Sequence, residues 1–98
     1  MVTTTERLRA ARVKIDEALE FVRGDPGAPP VLMAVVNEFA NKASKAAAAV
    51  DEREAVIELE QAGDSAKAAV EADPAVFDAA REAVLDAHLA ICIAKAKL

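Results

Sequence analysis

The one histidine and the one cysteine of this chain, His88 and Cys92, stand four residues apart in the stretch DAHLAICIAKAKL. That spacing is slightly more than one helical turn, so on a helix both side chains share a face and could touch one ion or one substrate atom. Two ligands fall short of the four that a structural zinc site takes, and a second pair could come only from another copy of the chain. A cysteine nucleophile would need a thiolate, a group to orient its base and an oxyanion hole. The neighbours here are alanines, leucines and isoleucines, which supply none of these. The expectation is no catalytic residue, no metal and no cofactor, with His88 and Cys92 packed in or beside the core.

Other polar groups recur at helical spacing. Asn37, Asn41, Ser44 and Lys45 form an uncharged-to-basic strip that could recognise a partner, and together with His88 and Cys92 they are the candidate interaction residues. Asp51, Glu52, Glu54, Glu58 and Glu60 make an acidic patch that reads as a solvated face. Arg7, Arg9, Arg12 and Lys14 could attract that patch on another copy. Alternatively they pair within their own helix, as Arg12 with Asp16, for about 0.2–0.5 kcal/mol.

Known helical sites set these residues in context. Histidine phosphotransfer domains carry lysine and glycine shortly after an exposed histidine, whereas Leu89, Ala90, Ile91 and Cys92 follow here. Di-iron bundles use glutamate three residues before histidine; here that position is Leu85. The helical-hairpin substrates of type VII secretion turn on Trp-x-Gly, and this chain has no tryptophan. Arg12-Val13-Lys14-Ile15-Asp16, followed by Leu19, resembles the first helix of the all-helical chorismate mutases over about fifteen residues. That resemblance implies a small helical enzyme with Arg12 in its substrate site. The family's first helix continues much further, whereas GDPGAPP at 24–30 ends it here, and its other basic clamps have no assigned position.

Composition bounds what could hold such groups. The residues are 54% hydrophobic but only 3% aromatic, and about a quarter are alanine, so helices must pack by close backbone approach. A net charge of −5 lacks the positive field that nucleic acid or an anionic membrane attracts. A lone cysteine makes no internal disulfide. The first twenty residues are amphipathic and charged, without the apolar stretch of a secretory signal, and no apolar run approaches the ~20 residues that span a bilayer. These features predict a cytoplasmic protein, with residues 1–98 as one domain.

The pattern then predicts the elements. Thr3 and Glu6 have capping-box spacing, and Leu8, Ala11, Ile15, Ala18 and Val22 form a stripe that Leu19 widens. Gly24 is expected to end this helix in the left-handed conformation, and Pro29 or Pro30 to open the next. There Leu32, Val36, Phe39, Ala43, Ala46 and Val50 continue at steps of four and three. Residues 31–62 could be one helix. However, the stripe rotates to Val56, Leu59, Gly63, Ala66 and Val70, and Asp51 with Glu54 offers a cap, so a break near 50–52 is expected. Gly63 is expected to bend or split the third segment. Asp73 and Pro74 read as cap and first residue of a last helix. Phe77, Ala80, Val84, Ala87, Ile91, Ala94 and Leu98 form one face of it, and Leu85, Leu89 and Ile93 a second.

The reading is all-α: an antiparallel bundle of three to four long helices, completed or extended by a homodimer, without nucleic acid or membrane. It would serve as a structural or regulatory protein–protein interaction module. The alternatives are a small enzyme resembling chorismate mutase, or a bundle holding a small apolar ligand between its helices.

Overall fold

Thr3 opens the first helix: its hydroxyl accepts a hydrogen bond from the backbone N–H of Glu6 at 3.1 Å. The computed structural model describes residues 2–46 and 48–98. They form α1 (Thr4–Arg23), α2 (Pro30–Ala46), α3 (Glu52–Ala72) and α4 (Asp78–Ala96), with no strand among them. Each helix packs on its neighbour in sequence, and α4 closes the ring on α1. Side chains across each seam show that the neighbours run antiparallel. On α3 and α4, Glu60 meets Lys95, Asp64 meets His88, and the carbonyl of Val70 meets Arg81. Thr5 and Leu8 at the start of α1 face Ala46 and Ala43 at the end of α2, while Phe21 late in α1 faces Ala79 early in α4. The bundle measures 38 × 22 × 19 Å.

The stripes become the core. Leu8, Ala11, Ile15, Ala18 and Val22 are buried, as are Leu32, Val36, Phe39, Ala43 and Ala46. Val56, Leu59, Ala66 and Val70 join them from α3, and Ala80, Val84, Ala87, Ile91 and Ala94 from α4. Alanine or valine fills at least three of the buried positions on each helix, which leaves room for backbones to approach and suits a chain with few large side chains.

Four local expectations are corrected. Gly24 caps α1 at φ −84°, in ordinary right-handed space, with its N–H bonded to the carbonyl of Glu20. The chain leaves the helix through the Asp25-Pro26 step, so no left-handed residue is required. Helix α2 ends earlier than its stripe, at Ala46. Ala48 and Ala49 bond back three residues, Val50 is fully exposed, and Ala47 lies outside the described residues. There α2 has drawn level with the start of α1, where Thr5 donates to Glu52 at 2.7 Å, so bundle length overrides alanine's helix propensity. The expected break is present and Asp51 caps α3, accepting from Glu54 N at 3.2 Å.

Gly63 does not split α3, which runs uninterrupted through it. A Cβ built there would stand 3.1 Å from Phe39 Cζ and 3.2 Å from His88 Cδ2, so the missing side chain seats one ring from α2 and another from α4. Asp73 and Pro74 do not begin α4 either. Asp73 instead caps the end of α3 and folds a turn, accepting from Ala75 N at 2.9 Å, and α4 starts at Asp78 after Phe77. The N–H of Phe77 is taken by a distant carboxylate, Asp25 Oδ2 at 2.8 Å. This tertiary bond and the burial of Val76 hold residues 74–77 out of the helix.

Candidate functional site

Polar groups converge most closely along the α3–α4 seam. Asp64, one residue after Gly63, accepts from His88 Nε2 at 2.7 Å, which places the ring proton on that nitrogen. His88 is 14% exposed and covers Gly63, so it belongs to the rim of the bundle and not to its core. Cys92 is also half-buried. Its Sγ lies 3.6 Å from His88 Nε2 and 3.8 Å from Nδ1. A sulfur nearly equidistant from both ring nitrogens is aligned with the in-plane lone pair or N–H of neither. The geometry is packing contact and not a dyad poised for proton transfer.

Electrostatics act in the same sense. Burial first, then the carboxylates of Glu60 and Asp64, push the Cys92 thiol above its ordinary value, against a smaller opposing pull from Lys67 and Lys95. A reactive cysteine needs the opposite environment. Lys95 Nζ donates to Glu60 Oε1 at 2.7 Å, and that bond, reinforced by the Glu60 charge, raises the lysine.

Both shifts make the folded chain hold protons more tightly than the unfolded chain. The stability they carry is complete below the ordinary values of 9.0 for the thiol and 10.5 for the amine, and falls as pH rises through the folded-state values. Urea midpoints should therefore decline as pH rises above 9.0, and Cys92→Ala should flatten the earlier part of that decline. A midpoint that rises over the same interval would contradict the seam's electrostatics.

The six sequence-derived interaction residues do not form one surface. Asn37, Asn41, Ser44 and Lys45 lie on the outward side of α2, Asn37 half-buried and the rest exposed, whereas α4 with His88 and Cys92 is diagonal to α2 in the ring. The acidic patch is likewise dispersed into separate duties. Asp51 caps α3, Glu52 accepts from Thr5, Glu58 lies 3.7 Å from Lys42, and Glu60 holds Lys95. Arg12 and Asp16 pair loosely at 3.9 Å. Arg12 also opens onto a cleft of about 210 Å³ between α1 and α2, lined by Thr5, Leu8, Arg9, alanines of α2 and the following turn, and Glu52. The cations of this cleft both come from α1.

Two features escaped sequence reasoning. Asp25, 6% exposed, bonds Gly27 N at 2.7 Å as well as Phe77 N. Arg81 donates to the carbonyls of Val70 and Asp73 at the end of α3, and to Asp78 on its own helix at 3.0 Å. Asp-Pro-Gly is legible as a turn, but a bond spanning 52 residues leaves no local signal.

On α4 the second apolar face is not buried. Leu85 is half-buried, while Leu89 is 56% and Ile93 47% exposed, in a line between the α1 and α3 seams. Among the described residues no three of His, Cys, Asp and Glu stand close enough to hold a metal ion, and no helix is long and apolar enough to cross a membrane. The described residues thus form a ring of four antiparallel helices with an uncovered aliphatic stripe on α4. No family model, curated protein or solved structure matches the chain.

Proposed function

We propose that this chain is a non-enzymatic interaction module that self-associates, pairing α4 with α4 of a second copy in an antiparallel dimer. The observation that carries this reading is the exposed stripe of Leu85, Leu89 and Ile93, at helical spacing on a helix whose opposite face is already core. Large aliphatic side chains aligned on one helix face are a surface to be covered. Orientation follows from charge. The first half of α4 carries Glu82 and Asp86 besides the Asp78–Arg81 pair, and its end carries Lys97 besides Lys95, which Glu60 engages. An antiparallel pair sets acid against base, whereas a parallel pair sets like against like.

The non-enzymatic part is supported by the seam chemistry: a thiol held protonated beside an imidazole that does not aim at it. In the α1–α2 cleft the cations line one wall only, which suits a substrate clamp poorly.

Sedimentation equilibrium tests the reading. The wild-type chain should be dimeric in the high micromolar range. Leu89→Asp should be monomeric with an unchanged helical spectrum and, at dilutions where the wild type is also monomeric, a stability within about 0.5 kcal/mol of it, because its site is exposed in the single chain. A wild-type monomer at that concentration would overturn self-association.

A further inference from the structure

The α4 stripe alone is a small interface. Three side chains per copy, partly covered already, fall short of the roughly 800 Å² per partner that stable dimers bury. A second apolar surface lies at one end of the same helix. Of the three phenylalanines in a chain with no tyrosine or tryptophan, two are half-exposed side by side: Phe21 at 50% and Phe77 at 54%. They wall a cleft of about 290 Å³ with Glu20, Gly24, Ala79 and Ala80. A neighbouring cleft of about 240 Å³ continues it along the α1–α4 groove past Glu17, Glu82 and Asp86, with Lys14 as its cation. The bond from its N–H to Asp25 fixes the backbone of Phe77 at this end of the groove. The groove is aromatic at one end, at Phe21 and Phe77, and acidic further along, at Glu17, Glu82 and Asp86.

We propose that this cleft receives the Lys95–Leu98 segment of a second copy. The inference rests on the antiparallel α4 pairing and extends it. If Leu89 faces its own counterpart, Leu85 faces Ile93, and every residue lies opposite the one equally far beyond Leu89 in the other chain. Leu98 then falls level with Ala80, which lines the aromatic cleft, and Lys97 level with Arg81, one residue from Glu82. Arg81 is turned away towards α3, where it holds the carbonyls of Val70 and Asp73. Lys95 is engaged by Glu60, which leaves Lys97 as the cation for the acidic part of the groove, with Leu98, 44% exposed, as the apolar anchor. The two-fold repeats the contact at the other end of the pair, so the segment and the cleft are each used twice.

Sedimentation equilibrium on the full chain, with circular dichroism as the folding control, separates this inference from the one it rests on. Phe77→Ala, Glu82→Lys and Lys97→Glu should each weaken the dimer by about tenfold or more at low salt, with helicity unchanged. The double variant Glu82→Lys with Lys97→Glu should recover wild-type affinity to within about threefold, because the exchanged charges meet again across the two-fold. If Leu89→Asp dissociates the dimer but the three variants leave it unchanged, or the double variant fails to recover, the tail-in-cleft contact is wrong and the α4 pairing stands. If Leu89→Asp has no effect on a dimer that forms, both are wrong.

Discussion

Phe39→Ala is expected to cost about 3–5 kcal/mol, a large share of the ~5–15 kcal/mol that holds a domain of this size together. Phe39 is the one phenylalanine with no exposed surface, and it heads the fully buried side chains by volume. Its ring reaches from α2 into the notch at Gly63, with Cζ and Cε1 at 3.1 and 3.5 Å from where a Cβ would be. The walls are helical backbone on that side and cannot collapse to fill the void. Urea unfolding measures the loss. Phe39→Leu, at roughly 1–2 kcal/mol, supplies a folded variant if the alanine chain does not fold.

The converse change acts on the same contact. Gly63→Ala should be nearly neutral, because about 1 kcal/mol of helix propensity is offset by crowding of both rings, of which only His88 lies at the rim and can yield. Gly63→Leu has no room and should unfold at markedly lower urea. A Phe39→Ala chain within 1 kcal/mol of wild type, an order-of-magnitude threshold well under the expected cavity penalty, would show the notch to be unimportant.

Asp25→Ala is expected to cost about 2–3 kcal/mol, from one surface loop. The carboxylate ties the α1–α2 connection to the α3–α4 connection: Oδ1 accepts from Gly27 and Oδ2 from Phe77, while the Asp25 carbonyl accepts from Ala28 at 3.1 Å. Removing it leaves two partly buried N–H groups without their acceptor, and bonds to a charged acceptor lie at the strong end of the range. Asp25→Asn keeps one good acceptor and should lose about half as much.

Gly27 belongs to the same junction. A Cβ there would collide with the backbone carbonyl of Ala75, which has no flexible end to move. Gly27→Ala should therefore part the loops and cost a similar amount, with the double variant well short of additive because both changes open one contact. Hydrogen exchange gives a local readout, since the Phe77 amide should lose its protection in either variant. An Asp25→Ala chain with wild-type exchange at Phe77 would refute the tie.

The correspondence between pattern and core is close where the signal is periodic. Leu8 to Val22 on α1 and Leu32 to Ala46 on α2 were each readable as a face from steps of three and four, and every one of those residues is buried. A helix is a rigid period, so residues that share a side in sequence must share it in space. Caps were legible for the same reason. Thr3 and Asp51 bond the N–H three residues on, a contact fixed by helix geometry alone.

Where the reading failed, a distant part of the chain had intervened. Asp73 and Pro74 have the right types for a helix start, yet Asp25, from the other loop, claims the N–H of Phe77 and sets the start at Asp78. Gly63 reads locally as a defect and is in fact the seat of two rings from two other helices. Sequence put His88 in or beside the core without choosing between them, and the Asp64 carboxylate, on α3, decides for the rim.

Residue order alone therefore settled that the chain is helical, which side of each helix turns inward, and that a reversal occurs at 24–30. Tertiary contact decided how far each helix runs, which loops touch, and which apolar residues stay outside. A period specifies direction around an axis, whereas length and neighbourhood depend on the three other helices that meet it.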